Sequence, residues 1–223
     1  MNDKHRVAEY AAQHIKDGMI IGLGTGSTAN YFIEALSRRF HREELRIETV
    51  ASSVVSAIKA RQLGLPLLAI EQVSRLDVYV DGADEVTPDL TLLKGRGQDL
   101  VNEKLLARAS DEFWVLIDAS KQVESLGQNY PIPIEVMPSA WRLVERSLAA
   151  IGGVGKLRSN GDGMFVTSYG SLVLDTVFDG ELDGKALSAK LNDIPGVIEH
   201  GVFSGLASAV FCGHDGKVNE RWA

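Results

Sequence analysis

The chain has 223 residues, 45% of them hydrophobic and 24% charged, with a formal net charge of −7. That length can bury a sizeable core in one large or two small domains. The acidic balance argues against a nucleic-acid surface, which needs clustered Lys and Arg, but leaves room for a small anionic ligand held by a few local cations.

The opening stretch "MNDKHRVAEYAAQHIK" has no basic region followed by an apolar one, so it does not read as a secretory leader. Val7, Ala8, Ala11, Ala12 and Ile15 recur at helical spacing and predict a helix over 4–16, stopped by Gly18. "MIIGLG" is a short apolar strand ending in glycines. A second helix follows from Ser27 and Thr28 (Phe32, Ile33, Leu36, Phe40), with Arg38 and Arg39 as a charge pair near its end. "RIETVA" predicts a strand, with Ser52 or Ser53 capping a helix that reaches residue 63. "LDVYVDGADE" is a buried strand ending in acids, a helix is predicted over about 99–109, and "FWVLIDAS" is another strand.

Strand and helix alternate four times in this part, and the strands are apolar on both faces. That is the pattern of a parallel sheet covered by helices, whose ligands sit outside the carboxyl ends of the strands. The polar groups at 25–28, 52–53 and 81–84, with Asp118 and Ser120, are therefore expected to converge on one edge.

After Lys121 the chain changes character. "GQNYPIPIEVMPSA" holds Pro131, Pro133 and Pro138 and reads as a linker or edge strand. A helix over 139–151 is followed by strands at "GKLR", "MFVTS" and "SLVLDTV", a helix over 184–191, and "PGVIEHGVF". This βαββαβ-like order predicts a small α+β domain. "SAVFCGHDGKV" reads as a strand and hairpin returning to the first sheet. Cys212 is the single cysteine, so no intrachain disulfide forms; with no apolar run near the roughly 18 residues of a membrane span, a cytoplasmic protein is expected.

Three motifs carry chemistry. "GLGTGSTA" is a glycine-rich strand-to-helix turn whose N–H groups and hydroxyls suit a phosphate. It lacks the Gly-Lys-Ser/Thr ending of a nucleotide loop and the third glycine of a dinucleotide fingerprint. The plain alternative is a tight turn and a helix cap. Asp81 and Asp84 could bind a cation, orient sugar hydroxyls or share a proton, or belong to a solvated turn. The five histidines (His5, His14, His41, His200, His214) show no ligand spacing, so no metal site is expected. In "KGRG", Lys94 can stabilise a developing oxyanion. Glu103, one helical turn past Asp99, could serve as a base or simply pair with a lysine of its own helix.

In order and spacing, "GLGTGSTA", "DGADE", "LLKGRG" with "NEK", "DASK" and "PIEVMP" resemble the type A ribose-5-phosphate isomerases over most of the chain. The resemblance implies a metal-independent aldose–ketose isomerase of the pentose phosphate pathway. It would interconvert D-ribose 5-phosphate and D-ribulose 5-phosphate without a cofactor, as a homodimer or homotetramer. It also implies a Rossmann-like α/β fold: a mostly parallel sheet domain over 1–127, rejoined by 202–223, with a smaller inserted α+β domain over 128–201. By motif, Thr25, Gly26, Ser27 and Thr28 would line the substrate site, with Lys4 a further candidate. Asp81, Gly82, Ala83 and Asp84 would face the sugar, the two acids assisting ring opening. Lys94, beside Gly95, Arg96 and Gly97, would polarise the carbonyl region. Glu103 would be the proton-transfer base, and Lys121 would complete the anion pocket.

The chain departs from the family pattern at identifiable places. Arg96 stands in a Lys-Gly-Gly-Gly motif, followed by Gln98 and Asp99 where small residues are usual; Val54 or Val55 stands where a small polar residue is expected; Ser208 stands where an acid is usual. Arg96 is expected either to keep φ negative and leave for solvent or pair with Asp99, or to reach into the site. Two other functions fit the same motifs: a non-catalytic sugar-phosphate-binding module, for which no helix-turn-helix is found, and an isomerase of another aldose phosphate.

Overall fold

A computed structural model describes residues 2–97, 99–180 and 182–223; Gln98 of the departing loop lies outside them. In chain order the described elements are α1 (Asp3–Gln13), β1 (Ile20–Leu23), α2 (Ser27–Glu43), β2 (Glu48–Ala51), α3 (Val54–Gln62), β3 (Leu67–Leu68), β4 (Leu76–Asp81), β5 (Glu85–Val86), β6 (Leu92–Leu93), α4 (Leu100–Ala109) and β7 (Ser110–Asp118). There follow β8 (Ile132–Val136), α5 (Trp141–Ala150), β9 (Gly153–Leu157), β10 (Ser159–Asn160), β11 (Gly163–Met164), β12 (Leu172–Phe178), α6 (Gly184–Asn192), β13 (Val197–His200), β14 (Val202–Phe203), β15 (Ala209–His214) and β16 (Lys217–Trp222).

The chain divides into two compact units. One comprises Met1–Ala83, Asn102–Lys121 and Leu206–Ala223; the other comprises Asp84–Val101 and Gln122–Gly205. The first unit holds a seven-stranded sheet of order β16-β15-β7-β4-β1-β2-β3. Every pairing in it is parallel except the β15–β16 hairpin. The near-continuous apolar run of β4, buried at every position but Asp77, is what a strand covered on both faces requires. Val7, Ala11, Phe32, Ile33 and Leu36 of α1 and α2 pack with Val78, Val80, Trp114, Leu116 and Phe211 of the sheet.

Two helix expectations need correction here. The first helix ends at Gln13 rather than 16, and Ile15 is buried without being helical. The carbonyls of Ala12 and Ile15 receive Arg39, which is itself gripped by Glu43, so the arginine caps the end of α1. The Arg38–Arg39 pair is thus not a simple terminus charge: Arg38 pairs with Glu9 of α1.

In the second unit β8, β9, β12 and β13 form an antiparallel sheet of order β13-β8-β12-β9, and Ile132, Ile134 and Leu174 pack with Val144, Leu148, Leu187 and Leu191 of α5 and α6. The proline-rich stretch is therefore neither a linker nor an edge: β8 is an interior strand and buried throughout. The structure shows why Pro133 is tolerated. Its carbonyl accepts from Gly201 N at 2.8 Å, and the Gly201 carbonyl that a residue-133 N–H would have met is taken by Lys94 N at 2.9 Å. "MFVTS" is also not a full strand; only Gly163–Met164 pair, with Ser159–Asn160. A three-stranded sheet of order β14-β6-β5 completes this unit.

Candidate active site

In the first unit the carboxyl ends of the parallel strands do converge. The register sets Leu23 beside both Ala51 and Val80, so the turn after β1, the serines after β2 and Asp81 at the end of β4 are neighbours. Asp81 is fully buried and accepts from three donors: Thr25 N at 3.0 Å, Gly82 N at 2.7 Å and the Tyr79 hydroxyl at 2.5 Å. Three donors offset the cost of desolvating a carboxylate. They also fix the turn at 24–28 relative to β4.

The glycines of that turn have separate causes. A Cβ on Gly22 would lie 2.6 Å from the Tyr79 ring, and one on Gly24 would lie 2.1 Å from Asp81 Oδ1. Gly26 holds φ at 115°, where a side chain is strained. The Thr25 hydroxyl joins a buried cluster with Ser52 (2.9 Å), Ser53 (2.7 Å) and Ser56 (3.1 Å), and Ser56 donates to the Gly24 carbonyl at 2.6 Å. Ser53 caps α3 by accepting from Ser56 N, while Val54 and Val55 project into solvent.

α2 begins at Ser27 with no side chain capping its first turn, which leaves the positive end of the helix dipole facing the strand ends. Lys4 of α1 lies 3.3 Å from Ser27 Oγ and 3.8 Å from Asp118 Oδ2. Burial works against ionisation at Asp118, but two hydrogen bonds from Ser120 and the charges of Lys4 and Lys121 outweigh it and hold its carboxyl below the ordinary range. Ser27, Lys4 and Lys121 thus gather around one acid.

Glu103 sits in the first turn of α4 and is 5% exposed. It lies within electrostatic reach of Tyr79, whose hydroxyl is held well above its ordinary pKa by burial first, then by the charges of Asp81 and Glu103. Tyr79 therefore stays a neutral donor. Its ring stacks on Phe113, centroids 4.9 Å apart, and Ser52 hydrogen-bonds its oxygen. Neither Tyr79 nor Ser56 belongs to a motif; the one clue was an aromatic with a polar tip inside an aliphatic strand. Ser208 extends the β15–β7 ladder through Phe113, bonding its N and O.

In the second unit the β5–β6 hairpin brings Asp84 and Lys94 together: Glu85 pairs with Leu93, and Asp84 N donates to the Leu93 carbonyl at 2.8 Å. Lys94 is 4% exposed, its ammonium 5.7 Å from the centre of the Phe203 ring. Glu85 is fully buried and accepts from Gly127, Asn129 and Tyr130 N–H groups, shaping the turn before β8. Arg158, paired with Asp175, donates to the carbonyls of Gly95, Arg96 and Gly97 and so fixes the glycine loop from within. Gly95 takes the positive φ of that loop, 94°, and Arg96 does not. Arg96 is half exposed and pairs with Asp84, not Asp99; Asp99 instead accepts from Ser168 at 2.8 Å. Among the described residues no group of three or more His, Cys, Asp or Glu is placed to hold a metal ion.

The sequence profile of the family described as ribose 5-phosphate isomerase A (phosphoriboisomerase A) matches residues 48–217. The chain belongs to that family. Ribose-5-phosphate isomerase A of Prochlorococcus marinus subsp. pastoris is 42% identical over 214 residues, 94% of this chain and 93% of that one. Two solved family structures superpose closely. Ribose 5-phosphate isomerase A of Methanocaldococcus jannaschii gives a TM-score of 0.94 at 38% identity, covering 99% of this chain and 98% of the other. A D-ribose-5-phosphate isomerase in complex with phospho-erythronic acid gives 0.96 at 38% identity over the whole of both chains. The α/β class and mainly parallel sheet of the ribose-5-phosphate isomerase A family are those seen here.

Proposed function

We infer that this chain is an isomerase that interconverts D-ribose 5-phosphate and D-ribulose 5-phosphate in the non-oxidative pentose phosphate pathway. The reaction takes a proton from C2 of the open-chain aldose, forms a cis-enediolate across C1 and C2, returns a proton to C1, and moves the hydroxyl proton from O2 to O1. It needs one base that can give back what it takes, and donors or positive charge for the enediolate oxygen. It needs no redox group.

The observation that carries this reading is the buried Glu103 beside the Tyr79–Asp81 pair. Glu103 acts as the base. Lys94, nearly removed from water, stabilises the enediolate charge, since a cation acts most strongly in a low-dielectric surround. Asp84 faces the sugar and assists ring opening. Asp81, held by the Thr25, Gly82 and Tyr79 donors, works by fixing the turn of Thr25 and Gly26 against the end of β4. The first turn of α2 at Ser27 and Thr28, with Lys4 and Lys121, receives the phosphate. No helix among the described residues is long and apolar enough to cross a membrane. A cytoplasmic location and a homodimeric or homotetrameric assembly are the remaining parts of the reading, checked by cell fractionation and light scattering.

The deciding experiment incubates purified protein with ribose 5-phosphate and follows ketose formation. Conversion supports the reading. Tight binding without conversion overturns it in favour of a binding module, and conversion of a different aldose phosphate alone reassigns the substrate.

A further inference from the structure

The glycine loop of the second unit carries an arginine, Arg96, and that arginine is held by two partners, Tyr130 and Asp84. Its guanidinium carbon lies over the Tyr130 ring, 3.8 Å from its centre, close enough for cation–π attraction. Its Nη1 stands 3.9 Å from Asp84 Oδ1, while its own backbone N–H donates to Asp84 Oδ2 at 3.4 Å. One residue thus addresses both oxygens of one carboxylate. The parts that hold it are fixed in turn. Tyr130 sits on the turn that Glu85 organises, and the loop backbone is tied to Arg158. Asp84 keeps only 21% of its side chain in solvent.

We propose that Arg96 is a positioning residue for Asp84, clamped between the Tyr130 ring and the carboxylate so that Asp84 is held in one orientation toward the sugar. The inference rests on the reading of Asp84 as a sugar-facing acid. A glycine at 96 leaves the backbone contact but not the side-chain one, so Asp84 regains rotamer freedom that must be lost again in the reacting complex. A carboxylate misplaced by such motion lowers turnover rather than substrate affinity.

The test is steady-state kinetics on ribose 5-phosphate for Arg96→Gly, Tyr130→Ala, the double variant and Asp84→Asn. Arg96→Gly and Tyr130→Ala should each lower kcat by roughly 3- to 10-fold with KM within about twofold, and the double variant should be no worse than the poorer single one, because both break one clamp. Arg96→Gly should add nothing further on an Asp84→Asn background. If Asp84→Asn is impaired while Arg96→Gly matches wild type, the clamp is wrong and the role of Asp84 survives. A raised KM with unchanged kcat in Arg96→Gly overturns the clamp in favour of direct substrate contact. Additive losses in the double variant overturn it as well. Full turnover in Asp84→Asn removes the sugar-facing role itself, and the clamp with it.

Discussion

Gly24 has no room for a side chain because the Asp81 carboxylate occupies the place of its Cβ, with Oδ1 2.1 Å away. The glycine of the β1 turn and the acid ending β4 are two halves of one fitting. Gly24→Ala must push aside a buried carboxylate that holds three hydrogen bonds. The expected cost is on the order of 2 kcal/mol or more, as for other overpacked sites. Chemical denaturation compared with the wild type checks it, and a variant of unchanged midpoint would show that the turn yields freely.

Glu103→Gln should fold and bind substrate while turnover drops by about 10² to 10⁴, the usual worth of a positioned base. Ketose formation under saturating ribose 5-phosphate gives the measurement. Turnover near the wild-type level removes Glu103 from its role.

Tyr79→Phe keeps the ring on Phe113 but takes one donor from the buried Asp81. A loss of roughly 1–3 kcal/mol in stability is expected from the acceptor left short of a partner. Because Asp81 also holds Thr25 N, kcat/KM should fall too, whereas Phe113→Leu should weaken the fold without that kinetic effect. Equal kinetic losses in the two variants would reduce Tyr79 to packing.

Glu135, on β8, is 1% exposed and lies across the ladder from Glu199. Burial above all, then the charges of Asp99 and Glu199, push its carboxyl above the ordinary range against the pull of the Thr167 and Ser171 hydroxyls. The folded chain thus keeps a proton that the unfolded chain has released, and stability declines as pH rises from the unfolded value through the folded one. Glu135→Gln abolishes this titration and keeps an oxygen for Thr167, which now donates at 2.8 Å. Thermal melts should show the variant gaining on the wild type as pH rises above the ordinary carboxylate value, where the unfolded chain has released a proton that the folded chain still holds. A gap independent of pH contradicts the assignment.

The parts of the fold that were legible are those governed by local rules. Apolar runs marked β1, β4 and β7, and the serine pair marked the cap of α3, because strand burial and N-capping act through neighbours in sequence. β8 was hidden because the compensation for Pro133 comes from Lys94, far away in the chain. Among site residues, Asp81, Asp84, Lys94 and Glu103 stand out by charge and motif. Tyr79 and Tyr130 do not, since their significance depends on which carboxylate or guanidinium they meet in space. The partner of Arg96 was illegible for the same reason: Asp99 is nearer in sequence, but the β5–β6 hairpin delivers Asp84.

The placement of β15 has a consequence for how the chain is made. It lies between β7 and β16, and Ser208 bonds Phe113 across a sequence separation of 95 residues. While the ribosome is still producing the intervening segment, β7 presents an unpaired apolar edge on that side, the sort of edge that recruits strands from other chains. Nascent chains halted before residue 206 are therefore expected to stay bound to chaperones, and release should coincide with the emergence of 209–214, the stretch that closes the gap.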